Sequence, residues 1–105
     1  MSILLLIVVG FDKSSRTVLS TCHTLTDGQW WATLPLTTAR YGAGASLTPL
    51  GLLVTGGKDD GHRPLSTTEV RMASGWQSGP PLPVAVNSHC QVSVGSSVYV
   101  IGKTG

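Results

Sequence analysis

The sequence predicts an all-β chain built on a 46-residue repeat of short strands. Three observations carry that expectation. Apolar runs closing on glycine recur as Leu6-Ile7-Val8-Val9-Gly10, Leu52-Leu53-Val54-Thr55-Gly56 and Val98-Tyr99-Val100-Ile101-Gly102, with their glycines 46 residues apart. At the same offset, without gaps, Leu19-Ser20-Thr21 matches Leu65-Ser66-Thr67, Trp30 matches Trp76, Pro35-Leu36 matches Pro81-Leu82 and Ala39 matches Ala85. Finally, the segments between are rich in Thr, Val and Gly, are punctuated by Gly and Pro, and hold no sustained 3.6-residue periodicity of the kind a helix needs.

In chain order, residues 2–9 lack polar alternation and suit a strand buried on both faces. Gly10 opens a loop, residues 17–25 read as a second strand, and Asp27-Gly28 is a hairpin signal leading into the short strand 29–33, which Pro35 stops. Small residues dominate 39–47, a strand expected to lie close to neighbouring backbone. The turn at 49–51 leads into the central run 52–55, which ends on Gly56-Gly57 and the polar loop 58–64. Strands are expected again at 66–72 and 76–78, then at 85–94, with 95–97 turning into the last apolar run, 98–101. Each unit thus reads as four strands: one of small residues, one apolar and ending in glycine, one rich in threonine, and one bearing tryptophan.

At 105 residues the chain has the length of one ordinary domain. Hydrophobic residues make up 41% and charged ones 11%, against a typical ~25%, so a folded chain is expected. The net charge is +2, and Lys13, Arg16, Arg40, Lys58, Arg63, Arg71 and Lys103 are scattered singly. That pattern argues against a nucleic-acid or membrane-surface partner. Residues 1–9 lack the basic start and cleavage site of a secretory signal, and no other run nears the ~20 apolar residues of a membrane span. Cys22 and Cys90 make no disulfide framework, which favours a reducing, cytoplasmic setting.

No cofactor is expected. His23, His62 and His89 lack metal-ligand spacing. Asp59-Asp60-Gly61 resembles a piece of a calcium loop without its remaining ligands, so a polar turn explains it better. Ser88 and His89 are neighbours along a strand and point to opposite faces, which rules out a dyad. Gly42-Ala43-Gly44 is followed by neither lysine nor helix, so it is no phosphate loop.

The double glycine after the second strand, the later tryptophan and the Pro-Leu element behind it together resemble the kelch repeat, one blade of a β-propeller. Gly56-Gly57, Thr68-Glu69-Val70, Trp76 and Pro81-Leu82-Pro83 carry the likeness most specifically. Gly10-Phe11 and Gly102-Lys103 each keep one glycine of the doublet, and the aromatic usual in the third strand is replaced by Leu25 and Arg71. The resemblance implies a partial propeller of four-stranded antiparallel blades. Residues 1–36 would form strands two to four of one repeat, 37–82 a full repeat, and 83–105 strands one and two of a third. Trp30 and Trp76 would fill the wedges between blades.

A closed propeller needs about four to eight blades, so the rest are expected from a longer parent chain or from other copies of this one. In kelch propellers the loops between strands two and three, and those entering the next blade, commonly build a binding surface. Here these are residues 11–16 and 58–63, and 37–41 and 83–88. The resemblance therefore implies a protein or peptide partner, with Arg40, Lys58, Asp59, Asp60, His62 and Asn87 as the binding residues. Arg40, whose counterpart is Val86, could hold an acidic side chain. Many kelch propellers serve as substrate-binding parts of ubiquitin-ligase adaptors. The alternatives are a segment of an enzyme of the galactose-oxidase type, and a truncated product without a function of its own.

Overall fold

The computed structural model describes residues 5–8, 11–12, 15 and 17–102, and every regular element among them is a strand. The elements are β1 (Leu5–Val8), β2 (Phe11–Asp12), β3 (Thr17–Val18), β4 (Cys22–Thr26), β5 (Gln29–Thr33), β6 (Gly44–Thr48), β7 (Gly51–Thr55), β8 (Thr68–Met72), β9 (Gly75–Ser78), β10 (Cys90–Val94) and β11 (Ser97–Ile101). All pairings between them are antiparallel. The central sheet is a four-stranded meander, β6-β7-β8-β9, flanked by a three-stranded sheet, β1-β4-β5, and a two-stranded one, β10-β11. A short ladder, β2-β3, closes the segment after β1.

The 46-residue period extends to pairing register. β10 and β11 are β6 and β7 displaced by one repeat, with Gly44↔Thr55 answered by Cys90↔Ile101. Leu25↔Trp30 likewise answers Arg71↔Trp76. One ladder departs. The central sheet pairs Leu53 with Val70, whereas Ile7, the counterpart of Leu53, faces His23 instead of Thr24. β1 is therefore slipped by one residue relative to the repeat.

The connections between sheets also repeat. The Leu36 N–H donates to the Ser20 carbonyl at 2.8 Å and the Arg40 N–H to that of Leu19 at 3.3 Å. One repeat later Leu82 donates to Ser66 at 2.7 Å and Val86 to Leu65 at 3.3 Å. In both repeats the backbone carbonyls of the Leu-Ser pair tie down the chain entering the next sheet. These bonds also shorten three expected strands. Residues 39–43 and 85–89 run as connectors ahead of β6 and β10, and the expected strand over 17–25 breaks where Leu19 and Ser20 turn their carbonyls to the connector.

The core sits between the first two sheets, where Cys22, Leu36, Val54 and Trp76 are buried together and Ala43 and Leu52 pack on them. The Trp76 indole N–H donates to the Leu34 carbonyl at 2.9 Å, so its one polar atom is satisfied inside the core. Trp30 does not share that burial and is 48% exposed. The connector that covers Trp76 has no counterpart over Trp30 among the described residues, which corrects the expectation that both tryptophans are core.

Candidate functional site

At one end of the central sheet, the β7–β8 loop meets the connectors on either side of it. Gly56 and Gly57 are buried with φ of +61° and +90°. A Cβ on Gly56 would lie 2.5 Å from the Val86 carbonyl, and one on Gly57 would lie 2.7 Å from that of Tyr41. The doublet is therefore the crossing point of both connectors, the following one at Gly56 and the preceding one at Gly57. Beyond it, Tyr41 and Lys58 exchange two backbone hydrogen bonds at 3.0 and 2.8 Å, the Gly57 N–H donates to the Val86 carbonyl at 2.9 Å, and the Ser88 N–H donates to Gly42 at 2.7 Å.

The loop tip folds on Asp59. Its carboxylate accepts from the backbone N–H groups of Gly61 at 2.9 Å and Arg63 at 3.0 Å. The Arg63 N–H contributes most to holding the Asp59 carboxyl below its usual range. That carboxylate is committed to shaping the turn. His62, with φ +60°, is turned back so that its Nδ1 lies 2.7 Å from the Tyr41 hydroxyl, the rings edge-on with centroids 5.9 Å apart. Tyr41 lies in the 37–41 segment expected on the binding surface, although it is not among the residues named for it.

The backbone bonds thus bring the segments that carry Lys58, Asp60, His62 and Asn87, among the expected binding residues, together with those of Tyr41 and Arg63. Asp60, His62 and Arg63 are exposed, while Lys58 and Asn87 are half-buried. Arg40 does not join them and is 1% exposed. Its Nη1 donates to the carbonyls of Gly56 at 2.9 Å and Thr67 at 3.0 Å, and its Nη2 pairs with Glu69 at 2.9 Å. The Glu69 carboxylate also accepts from the backbone N–H and hydroxyl of Thr37 and the N–H of Thr38. Arg40 is consequently a buried clamp between connector and sheet, and the acidic-partner preference expected from it loses its residue. Gly10 lies outside the described residues.

On the other flank His89 is wedged among glycines. A Cβ on Gly44, Gly56 or Gly102 would come within 3.0 Å of a His89 atom. Its Nε2 lies 2.8 Å from the Thr55 hydroxyl, which donates onward to Gln91 Oε1; Gln91 Nε2 in turn donates to Ser46 and the Leu53 carbonyl. The hydroxyl proton is thereby spoken for, so His89 carries its hydrogen on Nε2 and leaves the buried Nδ1 without a partner. Burial holds the His89 pKa below its ordinary value. These bonds and that of Ser93 to Ser46 join β10 to β6.

Among the described residues no three His, Cys, Asp or Glu side chains converge as a metal site, and no helix is long and apolar enough to cross a membrane. No family model matches the chain, and no curated protein is significantly similar to it.

Proposed function

We propose that the chain is a kelch-type propeller segment whose loop face recognises a protein partner. The observation that carries this reading is the lacing of the β7–β8 loop to both connectors, which holds exposed polar and aromatic groups on a hydrogen-bonded backbone platform. Binding residues concentrate on loops positioned by a rigid scaffold, and a platform ordered beforehand loses little entropy when a partner docks. Lys58 and Arg63 offset Asp59 and Asp60 in charge, so the partner is read through hydrogen bonds and contact with the Tyr41–His62 pair rather than through bulk charge. Peptides enriched from a random display library on the full chain are expected to bind His62→Ala and Lys58→Glu at least about tenfold more weakly, the loss typical of a hot-spot residue. Leu47→Ser, at the opposite end of the sheet, should leave them unchanged. No enrichment, or equal affinity for all four proteins, would overturn the reading.

A further inference from the structure

A cavity of about 370 Å³ opens between the central sheet and β10-β11, lined by Leu53, Val70, Pro80 and Val98 together with the turns β6–β7 and β10–β11. One repeat earlier the equivalent place is occupied. There the Trp76 indole bonds the Leu34 carbonyl, and Leu52 packs on the cluster that includes it. Leu34 and Leu52 are the 46-residue counterparts of Pro80 and Val98. Leu82 and Val100, the counterparts of Leu36 and Val54 beside Trp76, line a second cavity of about 180 Å³, so the two cavities together mark the place a tryptophan takes one repeat earlier. Filling it in the same way takes an antiparallel hairpin added to β11, which among the described residues pairs only with β10, with a tryptophan on its second strand.

The chain itself carries such a hairpin. β4-β5 has the register of β8-β9 and holds Trp30, the counterpart of Trp76, half-exposed. What occupies the outer edge of β4 is β1, in a ladder slipped by one residue from the repeat. We propose that the chain assembles head to tail with copies of itself: β11 of one copy replaces the slipped β1 beside β4 of the next, and Trp30 enters the cavity. In the register of β7 with β8, Tyr99 then faces Thr24 of the next copy, Val100 faces His23 and Ile101 faces Cys22. Tyr99 and Ile101, now 56% and 68% exposed, come to lie inside the joined structure. Each copy contributes its central blade and half of two joined ones, so two, three or four copies close a ring within the range of about four to eight blades.

This rests on the blade reading above but not on the loop face, since Trp30 and Val98 stand apart from Tyr41, Lys58 and His62. Native mass spectrometry and sedimentation of the full chain should give a discrete species of two, three or four times 10.9 kDa. Trp30→Ala, which empties the hairpin, and Val98→Glu, which charges the cavity without touching the hairpin, should each return monomers with an unchanged far-ultraviolet spectrum. Trp31→Ala, on the other face of β5, should still assemble. A wild-type monomer, or an assembly that survives both Trp30→Ala and Val98→Glu, would overturn the proposal.

Discussion

Replacing Glu69 with alanine is expected to lower the unfolding free energy by about 3–5 kcal/mol, read as a shift of the urea midpoint. The cost has two sources. The Arg40 guanidinium, 1% exposed, would lose its only carboxylate among the described residues, and Thr37 and Thr38 would lose the acceptor for two backbone N–H groups and a hydroxyl. A charge left alone in the interior costs far more than a surface pair contributes. The repeat contains a control for this account. Val86 occupies the position of Arg40 in the next connector, is 6% exposed, and makes the same backbone bond to the preceding sheet at 3.3 Å. An apolar side chain therefore suffices there. The double variant Arg40→Val with Glu69→Val should lose much less than the sum of the single losses, because it removes the charges together. Additive losses would show that the two side chains act independently.

Gly57→Ala is expected to cost about 3 kcal/mol or more, since backbone strain of order 1–3 kcal/mol at φ +90° adds to a close contact. Its Cβ would press on the Tyr41 carbonyl at 2.7 Å and the Ala43 nitrogen at 3.1 Å, and that carbonyl cannot move away without losing its bond from the Lys58 N–H. Gly28→Ala separates the two effects. Gly28 has a φ of +78°, near that of Gly57, but a Cβ there meets nothing within 4 Å, so it carries the strain alone. The difference between the two urea midpoints measures the close approach, and equal losses would mean that Gly57 is needed only for its dihedral angle.

Strand placement was legible in the sequence because it depends on neighbours in the chain. Turn glycines, the tryptophan spacing and the apolar runs located nine of the strands, and the 46-residue offset carries through to which residue faces which. What crosses between sheets was not legible. Arg40, in a Thr-Thr-Ala-Arg-Tyr stretch after a proline, has the composition of an exposed loop, and its burial depends on Glu69, twenty-nine residues on. The available clue was Glu69 itself, a carboxylate in the best-buried strand, which calls for a cation nearby. Trp30 and Trp76 occupy the same repeat position yet differ in exposure, because a residue's cover comes from the sheet beside it. The slip of β1 is likewise invisible in an apolar run without alternation, whose pattern sets no register.

Successive sheets are joined by one arrangement that recurs after 46 residues. Native-state amide exchange tests it most directly, at the Leu36 and Leu82 N–H groups that donate across the two junctions to Ser20 and Ser66. Both should be strongly protected and exchange at similar rates, while Leu50, whose N–H bonds only the neighbouring Thr48 hydroxyl in an exposed turn, exchanges quickly. Rapid exchange at either Leu36 or Leu82, with the strands of the central sheet still protected, would contradict the repeated junction.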